Sequence, residues 1–157
     1  MYKLLPIDIN SKYLNDILNL LLNYGEWIFS SFENPLLSFS SQLAENKIKV
    51  IGAIKNEELF AFCSLYDFKK ISDKYFSCYM YGGAKRKTAK EIDLLFPYIF
   101  EDLKSKGCKV VRCETRITNK PMRILAKRLN FEKVGILKYA SFSNGKFIDN
   151  IIYEKVL

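Results

Sequence analysis

The sequence contains no histidine, and that absence narrows the chemistry first. It removes the usual general base near neutral pH, the commonest metal ligand and every Ser-His or Cys-His nucleophilic pair. The four cysteines, Cys63, Cys78, Cys108 and Cys113, form no C-x-x-C pair and have no base nearby in sequence. They read as buried, reduced thiols of a cytoplasmic protein, with Cys113 as a nucleophile the alternative that no motif supports. No metal site is expected. What remains for chemistry is carboxylates, phenols, backbone groups and a concentration of positive charge. Lys and Arg number 25 against 17 Asp and Glu, for a formal net charge of +8. The surplus is uneven: residues 1–84 carry 8 cations and 9 acids, whereas residues 85–157 carry 17 and 8. Lys85, Arg86, Lys87 and Lys90 form one basic group, and Arg116, Lys120, Arg123, Lys127 and Arg128 form another. Such placement points to an anionic ligand. A nucleic-acid face would give the same asymmetry, but no nucleic-acid motif accompanies it. Because 20 of the 25 cations are Lys, an AT-rich genome would also produce part of the bias.

The elements that must position these groups follow from length and periodicity. A chain of 157 residues, 49% hydrophobic and 27% charged, is expected to fold as one domain with a substantial core. Pro6, Asp8 and Asn10 interrupt any leader-like apolar run, and no segment approaches the roughly 20 residues that span a bilayer, so no membrane association is expected. Tyr2 to Ile7 predicts a short strand, with Pro6 placing it at a sheet edge. From Ser11, a candidate N-cap, Leu14, Ile17, Leu18, Leu21 and Leu22 recur at helical spacing. An aromatic stretch through Trp27, Phe29 and Phe32 leads into a second short helix over Leu37 to Leu43. Lys47 to Ile54 and Leu59 to Phe68 read as strands joined by a tight connection, and a third run, Tyr75 to Tyr81, ends at Gly82 and Gly83. Ile92, Leu95, Phe96, Ile99 and Leu103 mark the clearest helix, closing at Gly107, with Pro97 inside it expected to kink it or cost a hydrogen bond. Lys109 to Ile117 predicts a strand. A helix follows from Asn119 or Lys120 to Leu129, with Pro121 in its first turn and Asn130 in a left-handed conformation after it. Val134 to Ser143 and Lys146 to Val156 flank the hairpin signal Asn144-Gly145. The order is β α α β β β α β α β β, a mixed α+β architecture. Its strand, helix, strand passage from Tyr75 to Ile117 implies one parallel pair within an otherwise antiparallel sheet. Two strands can splay at such a crossover and leave a slot for ligand.

The stretch Asn119 to Phe131, followed by Glu132 to Gly135 and later by Asn144-Gly145 and Asp149, resembles a passage of the GNAT superfamily of acyl-CoA-dependent N-acyltransferases. There an Asn opens a helix and a Leu-Gly-Phe closes it. The branch containing ribosomal-protein N-terminal acetyltransferases is the nearest in pattern. The resemblance covers about half the chain by motif and the first half by element order. It implies a mostly antiparallel, twisted GNAT-like sheet, splayed at the parallel pair of fourth and fifth strands. The activity implied is acetyl transfer from acetyl-CoA to a primary amine, either a protein N-terminus or a small amine, by direct attack in a ternary complex. The implied co-substrate is acetyl-CoA, and the implied partners are an amine acceptor and, at the level of assembly, a homodimer.

The resemblance also assigns residues. The family's cofactor loop maps onto Arg86, Lys87, Thr88, Ala89, Lys90 and Glu91, where small residues let backbone N–H groups reach pyrophosphate at a helix start. Arg86 and Ala89 fit that pattern, and Glu91 departs from it. Either the surrounding cations compensate and Glu91 turns outward as a first-turn acid, or coenzyme A binding is lost. The Tyr81 backbone N–H would polarise the thioester carbonyl, and Asn119 would contact the pantetheine arm, with Arg123 near the same helix start. Glu114, on the fifth strand, would accept the amine proton through water, and a surface partner for Arg112 or Arg116 is its structural alternative. Tyr79 and Tyr81 are candidate proton donors. The Tyr that many family members place seven residues after the Asn is Ala126 here. Glu26, Trp27 and Tyr139 fall where the family binds acceptor. A second reading is a catalytically silent GNAT-like binding or assembly protein, of the degenerate kind that phage genomes carry.

Overall fold

The computed structural model describes residues 2–28, 35–85 and 89–157. The elements are β1 (Tyr2–Ile7), α1 (Leu14–Ile28), α2 (Pro35–Ala44), β2 (Lys49–Lys55), β3 (Glu58–Lys70), β4 (Phe76–Ala84), α3 (Ala89–Ser105), β5 (Cys108–Arg116), α4 (Lys120–Arg128), β6 (Glu132–Ser143) and β7 (Lys146–Val156). This is the order the sequence predicts. The strands form a mixed sheet in the order β1-β2-β3-β4-β5-β7-β6, with β4 and β5 parallel. The chain groups into two compact units, Met1–Asp67 with Met80–Ile92, and Phe68–Tyr79 with Asp93–Leu157.

In the first unit β1 runs antiparallel to β2, from Tyr2↔Lys55 to Ile7↔Val50, with Pro6 on this edge strand as expected. A proline has no N–H to give a second neighbour, and an edge asks for none. The β2–β3 connection is Asn56-Glu57, both at positive φ (50° and 63°). That pair of left-handed residues suits the right-handed twist of a tight hairpin. Ser11 Oγ accepts from the Tyr13 N–H at 3.3 Å in the turn before α1. Ile17, Leu20 and Leu21 are buried in a core with Ile7, Phe39, Val50, Leu59 and Phe62. Leu22, expected on the same apolar face, is exposed, one step too far round a helix that already packs through its neighbours.

In the second unit Leu95, Ile99, Phe100 and Leu103 are buried on α3. Pro97 sits on its exposed side without ending it. The parallel register runs from Phe76↔Cys108 to Tyr79↔Arg112, while β5 pairs antiparallel with β7 from Val110↔Val156 to Arg116↔Asn150. All four cysteines are buried and unbridged. Burial pushes the Cys113 thiol up to about 12 and the Cys108 thiol above its ordinary value, so neither is an accessible thiolate at neutral pH. Asn130 takes the left-handed conformation expected of it (φ 58°), and Asn144-Gly145 form the β6–β7 turn (φ 49° and 73°).

β6 is the other edge strand, and its pairing with β7 breaks between Leu137 and Ser141. At this bulge Tyr139 lies at φ 53°. Asp149 on β7 holds it in place: Oδ1 accepts from the Tyr139 N–H at 3.0 Å, and Oδ2 pairs with Lys138 Nζ at 2.9 Å. The Lys138 hydrogen bond, then the Tyr139 N–H, lower the Asp149 carboxyl below its ordinary value, and the same bond to Asp149 raises the Lys138 amine.

The bulge clamp is therefore present above the ordinary aspartate range and is lost as pH falls through the lowered Asp149 value. On the other side it weakens as pH rises through the raised Lys138 value. In an NMR titration, the Tyr139 amide resonance should hold its hydrogen-bonded position through the ordinary aspartate value of 3.8 and move only below it; a midpoint at or above that value would contradict the clamp. Gly107, which closes α3 at φ +92°, has Lys74 O only 2.3 Å from where a Cβ would lie. Gly107→Ala should destabilise the fold by about 3 kcal/mol, combining the left-handed penalty with a backbone clash, read as a fall in the midpoint of thermal unfolding.

Candidate functional site

In the first unit lies the end of β4. A Cβ at Gly82 would lie 2.3 Å from the Phe62 carbonyl oxygen, and one at Gly83 would lie 3.0 Å from the Phe62 ring. Phe62 on β3 therefore excludes a side chain at 82 and crowds one at 83, so β4 carries no side chain at these two positions near its end. An extended ligand can approach such backbone closely. The sequence predicts that this strand ends at Gly82-Gly83, whereas β4 continues through both glycines to Ala84. The Lys85 N–H donates to Phe60 O at 2.8 Å and fixes the strand's exit, and Lys85 Nζ lies 3.6 Å from Glu58.

Tyr81, just before these glycines, packs its ring against Phe62 (centroids 6.4 Å, edge-on) and Tyr66 (5.4 Å). Burial pushes its phenol up to about 12, only partly offset by the Ser64 hydroxyl. A phenol held there stays protonated at neutral pH and is a poor proton donor. The side chain is thus spent on packing.

Arg86, Lys87 and Thr88 lie outside the described residues, as do the side chains of Ala89, Lys90, Glu91, Glu26 and Trp27. Of these, Ala89 and Lys90 open α3, and Glu26 and Trp27 fall in the last turn of α1. The start of α3 presents N–H groups without intrahelical partners, the backbone feature a phosphate needs.

In the second unit lie β5 and the start of α4. Asn119 caps α4: its Oδ1 accepts from the Met122 N–H at 3.2 Å, with Pro121 beside it in the first turn. The cap uses the amide oxygen, so any contact to a ligand carbonyl falls to Nδ2. Arg123 Nη1 donates to Ile117 O at 3.1 Å, folding that cation back over the turn before the helix. Arg116 is only 5% exposed, and its Nε has no hydrogen-bond partner among the described residues. Ala126, at the position of the family's Tyr, is fully buried.

Arg112, Glu114 and Arg116 alternate onto one face of β5. Arg112 pairs with Glu154 directly opposite on β7 (Nε–Oε2 2.9 Å) and reaches Ser77 Oγ at 3.3 Å. Glu114 therefore has neither arginine as an ion-pair partner among the described residues. Its Oε1 instead accepts from Asn150 Nδ2 at 2.6 Å, and Asn150 Oδ1 accepts from Ser141 Oγ at 2.7 Å. Glu114 is exposed, while Asn150 and Ser141 are buried. The sequence reading missed this pair, although one signal was present: Asn is disfavoured in strands, and Asn150 sits within the β-rich run Phe147 to Tyr153.

Tyr139 is 72% exposed and leads a small cluster of exposed aromatics, with Phe147 at 5.8 Å and Phe142 at 5.1 Å from Phe147. A cavity of about 580 Å³, elsewhere in the second unit, is lined by Asp93, Pro97, Phe100, Lys104, Arg128 and Lys155 among others. None of the residues given a catalytic, cofactor-binding or acceptor role from the sequence lines it, although Arg128 of the second basic group does.

No family model matches the sequence, and comparison with curated proteins finds no match. Solved structures do match along the whole chain. An N-acetyltransferase from Staphylococcus aureus superposes with a TM-score of 0.75 at 15% identity, covering 99% of this chain and 97% of its own. The ribosomal-protein-alanine N-acetyltransferase from Brucella melitensis gives 0.76 at 16% identity, covering 98% and 99%. Arabidopsis thaliana NAA60 in complex with acetyl-CoA gives 0.74 at 18% identity, covering 100% and 99%; in complex with a bisubstrate analogue it gives 0.72 at 18%, covering 98% of both chains. The fold of this chain is that of the GNAT acetyltransferases.

Proposed function

We propose that this protein transfers an acetyl group from acetyl-CoA to a primary amine, either a protein N-terminus or a small amine. One observation carries the reading beyond the fold: Glu114 is an exposed strand carboxylate held by a neutral amide and not by an arginine. A carboxylate locked in an ion pair would be structural. One fixed in place but unneutralised can take a proton.

The residues present suit the co-substrate. The bare end of β4 can lie against an extended pantetheine chain, and the open start of α3 with the neighbouring cations can receive its phosphates. Asn119 Nδ2 can meet a pantetheine carbonyl. Direct transfer then needs three acts. The Tyr81 N–H donates to the thioester carbonyl as negative charge develops on its oxygen. Glu114, through water, takes the proton that the attacking amine releases as the C–N bond forms. The C–S bond breaks, and the thiolate collects its proton from solvent, since the Tyr81 phenol is a poor donor. This division of labour requires no histidine.

Tyr139, Phe142 and Phe147 offer an apolar, exposed rim for an acceptor, and a peptide N-terminus fits it better than a small polar amine because aromatic side chains bind flanking residues. The surroundings are cytoplasmic on the strength of the reduced cysteines.

Acetyl-CoA at 100 times its dissociation constant should raise stability by about 2.7 kcal/mol, seen as a rise in the melting midpoint. Arg86→Glu should abolish the rise. No rise at millimolar acetyl-CoA would sink the proposal. Glu114→Gln should leave that stabilisation intact and cut kcat by about a hundredfold or more, measured as acetylation of a mixed peptide pool with free α-amines. A variant that binds and turns over like the parent would remove Glu114 from the chemistry.

A further inference from the structure

An exposed glutamate carboxylate is ordinarily free to rotate, and its side chain gives up considerable rotamer entropy when held. Here Asn150 Nδ2 meets Glu114 Oε1 at 2.6 Å, and Asn150 is in turn met by Ser141 Oγ at 2.7 Å. The three residues come from three successive strands, β5, β7 and β6. On β7, Asn150 is directly opposite Arg116 and diagonal to Glu114, which itself faces Ile152. On β6, Ser141 is opposite Ile148 and so diagonal to Asn150. The row thus crosses the sheet at a slant, from a 3%-exposed hydroxyl through a 5%-exposed amide to an exposed carboxylate.

We infer that Asn150 and Ser141 are positioning residues for the Glu114 carboxylate, an inference that rests on the reading of Glu114 as proton acceptor. The direction of the hydrogen bonds carries it. An ionised carboxylate only accepts, so Asn150 must present its NH₂ to Glu114 and its carbonyl to the other side. Ser141 supplies the O–H that this carbonyl needs, which fixes which way the amide faces. Without the hydroxyl, the buried carbonyl loses its partner and the amide can turn over, setting oxygen against oxygen. Because both supporting groups are buried, water does not compete for these bonds. One carboxylate oxygen is thereby pinned. Among the described residues, Oε2 has no partner and remains available to a bridging water.

The alternative is that the row only stabilises the sheet, and a double-mutant cycle separates the two. With acetyl-CoA and a mixed pool of free α-amine peptides, Asn150→Ala should lower kcat about tenfold, as expected of a misplaced reacting group, with KM for acetyl-CoA held within about twofold. Ser141→Ala should do the same more weakly, and Ser141→Thr, which keeps the hydroxyl, should restore turnover. In a Glu114→Gln background the Asn150→Ala loss should vanish, because a group acting through Glu114 has nothing left to act on. A loss of equal size in both backgrounds, or no loss in either, would overturn the positioning role while leaving Glu114 as base. Full activity of Glu114→Gln would instead overturn the base reading. Independently of turnover, the Asn150 side-chain NH₂ should exchange slowly with solvent and faster in Ser141→Ala by NMR. Unchanged exchange there would contradict the inference even if the pool is not acetylated.

Discussion

The ion pair between Arg112 and Glu154 decides what Glu114 is able to be. Three charged residues of β5 alternate onto one face, and with only local charge to consider Glu114 would sit between two arginines and pair with one of them. Register prevents it. Arg112 faces Glu154 directly across β7 and is only partly exposed, so the bidentate-capable guanidinium is committed to the nearer acid, with Ser77 as its second partner. Arg116, buried at the strand's end, faces Asn150. The amide of Asn150 then does for Glu114 what an arginine would otherwise have done, but without neutralising it. A single cross-strand pairing therefore separates a carboxylate held in an ion pair from one held by a neutral amide.

At the end of β4 a second constraint works through bulk. Phe62 occupies the space that side chains at 82 and 83 would need, with its carbonyl against one glycine and its ring against the other. The same ring packs edge-on against Tyr81 and Phe39, so the residue that buries the Tyr81 phenol also strips the following backbone of side chains. The raised phenol and the glycines that follow it both trace to one aromatic residue on β3.

Much of this was legible in the sequence wherever a local rule applied. The left-handed Asn130, the Asn144-Gly145 turn, the edge proline of β1 and the face of α3 all follow from the conformational preferences of single residues or from periodicity. The failures share a different cause. β4 was read as ending at Gly82-Gly83 because glycine usually marks a turn, whereas here it marks a close approach that depends on Phe62, twenty residues earlier. β3 runs to Lys70 although its apolar pattern stops near Phe68, because the exposed ends of β3 and β4 are held by the Phe68–Phe76 ring contact (5.9 Å) and not by burial. Asn150 and Ser141 escaped because their significance lies in a diagonal between strands, which no spacing along the chain encodes. Glu114 is singled out by its place on the fifth strand beside the expected splay, whereas the residues that hold it can come only from register.

The positive surplus acquires a sharper location once partners are assigned. In the second unit Arg112, Arg128, Lys106 and Lys138 each have an acid partner. No acid among the described residues pairs with Arg116, Lys120 or Arg123, which cluster in sequence around the start of α4. That is an unfavourable place for cations, because the N-terminal end of a helix already carries partial positive charge. Burying Arg116 there adds a desolvation cost, and its Nε has no partner among the described residues to offset it. A fold keeps such an arrangement at a net cost unless something anionic or strongly hydrogen-bond accepting offsets it. Phosphates and amide carbonyls are groups of that kind, and uncompensated charge at this helix start would strengthen the hold on such a ligand.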